Sequence, residues 1–187
     1  MATLRPFRDY SEHNVINLFA FDYSGADINA GALVKIKSTA GFTANDDIGQ
    51  DSTMLWSGLT NVVSDRYSVK SRVVLAGSGE VALGMLLYGV KEVDENGVKL
   101  IHNPHKAAEM QVTVSGQAVP VVTRGLFLVK GVDGTPSTNG VAYCGGSAAA
   151  DGKVSATNGA GKTIIGRFLG PDTVGDGTGD VLLKLEL

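Results

Sequence analysis

The chain has 187 residues, 43% of them hydrophobic, and a formal net charge of -3. That length buries a proper core, the apolar share argues against intrinsic disorder, and the mild negative charge gives no global attraction to nucleic acid or to an anionic membrane. A single cysteine, Cys144, rules out an intrachain disulfide and reads as an idle thiol. The first residues, MATLRPFRDYSEH, lack the apolar core of a secretory signal. The most apolar window, VALGMLLYGV, is too short to span a bilayer. The expectation is a soluble protein made in a reducing cytoplasm.

Residues 1–24 read as an extended N-terminal arm. They carry Arg5, Phe7, Arg8, Tyr10, Phe19, Phe21 and Tyr23, and no glycine occurs before Gly25. No helical period runs through the first half, so these rings need a surface to pack on. Residues 25–187 read as a single β domain. In GALVKIKS, Leu33, Lys35 and Lys37 alternate with Val34 and Ile36 after a glycine turn, and YSVKSRVVLAG alternates through Tyr67, Val69, Val73 and Leu75. DSTMLWSGLTN, between them, suits a short helix capped by Asp51 or Ser52. EVALGMLLYGVKEV is a longer apolar run broken by Gly84 and Gly89. DENGVKLI signals a hairpin, with Asn96-Gly97 suited to a two-residue turn that has both residues at positive φ. PHKAAEM suits a helical turn or two, with Pro104 at a permitted first position. MQVTVSG alternates strictly, and AVPVVTRGLFLVKG follows, where Pro120 marks an edge strand or a bulge. Residues from about 131 to 161 are rich in Gly, Ala and Ser and read as a loop region around one strand, Val141 to Cys144. KTIIGRFLG and DVLLKLEL complete the sheet. The predicted class is mainly β: an antiparallel β-barrel or β-sandwich with an extended N-terminal arm and few short helices.

Motifs that carry chemistry are weak. ATNGAGKT imitates a phosphate-binding loop, but Ala156 stands where the first glycine belongs and a strand-like TIIGRFL follows. GSGEVA, Gly77 to Ala82, fits a relaxed dinucleotide fingerprint, yet a helix there would carry Gly84 and Gly89, so a tight hairpin turn is the better reading. His102 and His105 are three apart and His13 lies in the arm, without the further ligands that zinc needs. GGSAAA around Ser147 approaches a nucleophile elbow but ends in Ala149. Asp172, Asp176 and Asp180 do not fit a calcium loop: counted from Asp172, position three is Val174 and position twelve is Leu183. A Gly/Asp turn before a last strand is the simpler reading. No enzyme activity, cofactor or metal is expected.

Four stretches together resemble the decoration, or cement, proteins of tailed bacteriophage capsids: NVINLFAFDYSGADINAGALVKI, GSGEVALGMLLYGVKEVDENG, MQVTVSGQAVPVVTRGLFLV and IIGRFLGPDTVGDGTGDVLLKLEL. The departures are the aromatic arm and the stretch 131–161. The resemblance implies a structural virion protein, made in the host bacterial cytoplasm and placed on the outer surface of the capsid. Its implied partners are the major capsid protein and copies of itself, as a homotrimer, with no nucleic acid and no membrane. Arg5, Phe7, Arg8, Tyr10, Phe19 and Phe21 are the candidate partner-binding residues, since aromatic and arginine side chains dominate interface energy. An arm of this length reaches at most about 80 Å. Phe19 and Phe21 have an alternative: the arm is the first strand of the same barrel. Two other readings stay open, a fibre or adhesion module binding host glycans and a nucleotide-dependent enzyme using Gly77–Ala82 or Gly159–Thr163.

Overall fold

The computed structural model describes residues 4–6, 14–22, 26–37, 72–114, 117–145, 152–159, 161–171 and 179–187. It is mainly strands, in antiparallel sheets of which one curls into a half-barrel. The N-terminal segment supplies β1 (Leu4–Pro6) and β2 (Val15–Ile16). The next part of the chain supplies β3 (Leu33–Ile36), β4 (Val73–Leu75), β5 (Gly84–Leu86) and β6 (Gly89–Val90). A 3-10 turn, Leu100–His102, leads into helix α1 (Pro104–Glu109). Then come β7 (Val112–Thr113), β8 (Val121–Val122), β9 (Arg124–Val129) and β10 (Val141–Cys144). The last three are β11 (Val154–Ser155), β12 (Ile164–Pro171) and β13 (Val181–Glu186). Among the described residues no helix is long and apolar enough to cross a membrane.

The described strands form a six-stranded sheet in the order β1-β9-β13-β12-β10-β11, a five-stranded sheet in the order β2-β8-β5-β3-β4, and the pair β6-β7. Pairing within the two large sheets is antiparallel, and β6-β7 is parallel. The centre of the five-stranded sheet, at β5, β8 and the start of β3, is buried on both faces, and its side-chain period shows how. Leu33, Met85 and Val122 point into a core shared with Phe127, Val129, Ile165, Phe168, Leu183 and Leu185 of the six-stranded sheet. Their chain neighbours Val34, Leu86 and Val121 point the other way, into a second core with Phe21, Val73, Val90 and Val119. A strand buried on both faces needs a continuous apolar run, which is what LV, ML and VV supply. β13 is buried on one face only, so it alternates: Val181, Leu183 and Leu185 are buried, while Lys184 and Glu186 are exposed.

Several local expectations are corrected. The Asn96-Gly97 hairpin exists, with Val93 bridged to Lys99, but its loop is longer than two residues. The Asp94 N–H donates to the Val98 carbonyl at 2.9 Å, and only Gly97 has positive φ, 78°. Asp94 Oδ1 decides the shape by accepting from the N–H groups of Asn96 and Val98, both at 2.8 Å. That is a three-residue loop closed by a left-handed glycine. Pro120 marks neither an edge nor a bulge. It directly precedes β8, an interior strand between β2 and β5, and its carbonyl accepts from the Leu87 N–H at 3.0 Å. Among the described residues of MQVTVSG, Val112–Thr113 alone are strand. Gly77–Glu80 is a turn, but the strands it joins, β4 and β5, flank β3 instead of pairing with each other. The helix expected over 51–61 and the strand residues Tyr67 and Val69 lie outside the described residues. The stretch 131–161 holds two strands of the six-stranded sheet, β10 and β11.

Two ion-pair sites tie the layers. The Asp22 carboxylate accepts from Lys37 Nζ and from Arg72 Nη1, the latter at 2.7 Å. The Lys37 N–H also donates to the Arg72 carbonyl at 2.8 Å, so the end of β3 and the start of β4 are joined to residue 22 at one point. Asp94 Oδ2 accepts from Lys106 Nζ at 2.6 Å, which locks the hairpin to α1.

Two measurements check this account. A Cβ on Gly166 would lie 2.0 Å from the Lys184 carbonyl oxygen and 3.2 Å from Leu185 Cα, both backbone atoms that cannot swing aside. Gly166→Ala is therefore expected to lose about 1–3 kcal/mol of stability, read from the denaturant midpoint; an unchanged midpoint refutes the close β12-β13 approach. The second concerns acid. Burial of Asp22 opposes its charge, but hydrogen bonds and charge from Lys37 and Arg72 outweigh this and hold its pKa below the ordinary 3.8. The Lys106 hydrogen bond, with the Val98 and Asn96 amides, does the same for Asp94. A lowered carboxylate pKa gives stability that is complete above the unfolded value and lost as pH falls through the folded one. The Tm is thus expected to hold from neutral pH down to about pH 5 and to drop below it. Asp22→Asn and Asp94→Asn should each flatten that drop and lower the neutral-pH Tm. An acid profile identical to wild type contradicts the assignment.

Candidate functional site

The structure divides the N-terminal candidates among three fates. Arg5 lies in β1, whose residues Leu4, Arg5 and Pro6 pair with Val129, Leu128 and Phe127 at one edge of the six-stranded sheet. Phe7, Arg8 and Tyr10 lie outside the described residues, as does His13. Phe19 and Phe21 pack on their own body. The Val73 N–H donates to the Ala20 carbonyl at 3.0 Å and the Asp22 N–H donates to the Val73 carbonyl at 2.9 Å. This two-bond grip on β4 turns Phe21 into the second core, where it is 5% exposed. Phe19 is half-buried against the same cluster, and its carbonyl accepts from the Val119 N–H at 2.9 Å. In this arrangement Phe21 is an internal anchor, the alternative that the sequence left open.

The N-terminal segment thus serves both large sheets. It adds β1 beside β9 and β2 beside β8, two strands that follow one another in the chain. Among the described residues β1 and β2 stand at sheet edges, whereas the outer side of β4 is bonded at Val73 by residues 20 and 22 and that of β11 by Asp133. Edge strands carry backbone donors and acceptors that a further strand can use.

Nucleotide motifs do not assemble. The Ser78-Gly79 turn after β4 leads to strand β5, and the Glu80 carboxylate turns back to accept from the Gly77 N–H at 2.7 Å while pairing with Lys35. A helix N-terminus, which would bind a pyrophosphate, does not follow. Gly161–Thr163 leads directly into β12. His102 and His105 are both exposed, on the 3-10 turn and on α1. Among the described residues no three or more His, Cys, Asp or Glu side chains gather as a metal site. Cys144 is fully buried and its thiol lies 3.6 Å from the Gly77 carbonyl oxygen. Asp180 is buried beside β13, whereas Asp172, Asp176 and Ser147 lie outside the described residues.

One polar centre escaped the sequence reading. Ser155 Oγ accepts from Lys162 Nζ at 2.9 Å and from the Thr157 N–H at 3.1 Å, and lies 3.3 Å from Asp133 Oδ2. A serine-lysine pair is a known form of activated nucleophile. Here Ser155 has no exposed surface, so its oxygen reaches no substrate in this conformation. The centre instead joins β11 to the segments at Asp133 and Lys162. No spacing signal announces it, because its three side chains come from separate segments of the chain.

Two surface features remain. A groove of about 470 Å³ runs between α1 and the β7-β8 connection, lined by Tyr88, Ile101, Pro104, Ala108, Val114 and Pro120 among others. The outer face of the six-stranded sheet presents half-buried and exposed aliphatics, with Ile164 59% exposed, beside Arg124, Arg167 and Lys184. The groove has a volume within the range of small-ligand pockets, whereas the sheet face is open. The chain matches no family model, no curated protein and no solved structure.

Proposed function

We propose that the chain is a structural virion protein of the decoration type, which binds the outer surface of an assembled phage capsid and holds neighbouring subunits together. The observation that supports this best is the use made of the N-terminal segment. Leu4–Pro6 joins the six-stranded sheet as an edge strand, by backbone pairing to a strand far away in sequence. Such pairing depends on the partner's edge and little on its side chains, so the same segment can serve a neighbouring sheet equally well. A strand of three residues is a weak contact alone. Weak contacts suit a protein that acts in many copies, because each further contact on the same shell is intramolecular and multiplies the avidity.

Stabilisation of the shell then follows from mass action. A protein that binds the assembled form and not the free subunits shifts the equilibrium against disassembly. No bond is made or broken in this role.

The test is co-sedimentation with heads of the virus that encodes the chain, together with the melting of those heads. Wild-type chain is expected to bind saturably and to raise the head melting temperature. Deletion of residues 1–12 removes β1 and is expected to weaken binding at least about tenfold, while the remaining body still unfolds cooperatively. Absence of wild-type binding sinks the function; equal binding by the truncated chain sinks the role of the N-terminal segment.

A further inference from the structure

The uncovered sheet face carries an inference that deepens the proposed function and relies on it only for the identity of the partner. The centre of the five-stranded sheet is covered on both sides by the two cores. Among the described residues the six-stranded sheet is covered on one. On its other side Leu128 and Leu182 are register partners and stand half-buried, with Leu169, at a β-bulge, and Ile164 more exposed. Across these aliphatics run Arg124, Arg167 and Lys184, all exposed.

The charges on this face are not arranged for stability. Arg167 and Lys184 sit directly opposite each other on β12 and β13. Like charges at directly opposed positions destabilise a sheet. Among the described residues the acid beside them is Glu186, which binds Lys184 at 2.6 Å and also feels the charge of Arg124 and Arg167. Three cations therefore share one carboxylate, on a chain whose net charge is -3. Among the described residues neither arginine forms an ion pair.

We propose that the outer face of the six-stranded sheet is a docking surface for an acidic protein surface with an apolar centre. The leucines and Ile164 supply area that is dehydrated on contact, and the three cations select carboxylates and set orientation. An apolar field between so few cations fits nucleic acid poorly, because phosphate binding draws on many cations and gains nothing from aliphatic area. The face also adjoins β1, since Arg5 pairs with Leu128, so face and N-terminal strand can engage one neighbour together.

The test uses the full chain and two surfaces. The first is immobilised poly-L-glutamate at low ionic strength. Wild type is expected to bind, and Arg124→Glu combined with Arg167→Glu to bind at least about tenfold more weakly. A control with the same net charge, Lys99→Glu with the exposed Val81→Glu and Val98→Glu, is expected to bind like wild type. Arg167→Gln guards against misfolding: it should weaken binding with an unchanged or raised Tm, because it removes a like-charge pair. Failure of wild type to bind, equal loss in the control, a lowered Tm for Arg167→Gln, or tighter wild-type binding to duplex DNA than to poly-L-glutamate each overturns the proposal. The second surface is the viral head. If heads bind wild type and the double arginine variant equally, the docking face is wrong and the decoration function stands. If poly-L-glutamate discriminates the variants while heads bind neither, the decoration function is wrong and the acidic-surface preference stands.

Discussion

The structure depends on one constraint: the centre of the five-stranded sheet is buried on both faces. At β5, β8 and the start of β3 the sheet has no solvent side, so those strands are apolar in consecutive residues and something must cover each face. One cover is the six-stranded sheet. The other is made of Phe19, Phe21 and Ile28 from the N-terminal part of the chain with Val90 and Val119. The two backbone bonds between Val73 and residues 20 and 22 fix that second cover in register. Without them Val34, Val73, Leu86 and Val121 would face water, and burying side chains of this size contributes about 1.5–3 kcal/mol each.

This constraint explains what the sequence made legible and what it hid. The fold class was readable, because β-branched and aliphatic runs separated by glycine turns are a direct consequence of strand geometry. The last strand was readable in more detail: Val181, Leu183 and Leu185 alternate because only one face is buried, and the structure buries those three. Where burial is two-sided, the period disappears and the boundaries with it. EVALGMLLYGVKEV reads as one run but contains two strands of different sheets, β5 and β6. Pro120 misled for a related reason. Its missing N–H argues for an edge, yet one residue before an interior strand it costs no ladder bond.

The candidate binding residues were less legible. Aromatic rings in a glycine-free segment signal burial, but not whose surface buries them. Phe21 faces its own core because residues 20 and 22 bond to Val73, 52 positions beyond Phe21, and no local pattern encodes that pairing. The outer-face cations were hidden differently. Arg124, Arg167 and Lys184 look like ordinary exposed charges in three separate strands. Only the register Arg167-Lys184 and Arg124-Glu186 gathers them on one face.

The junction at Asp22 has a practical consequence. Lys37 and Arg72 are held side by side by a backbone bond and a shared carboxylate, whatever chain runs from 38 to 71. Loop-closure entropy rises slowly, by about 0.6 kcal/mol for each doubling of length. The body therefore pins Lys37 and Arg72 for itself, and the junction works as a clasp whose grip does not depend on the number of residues between its two sides.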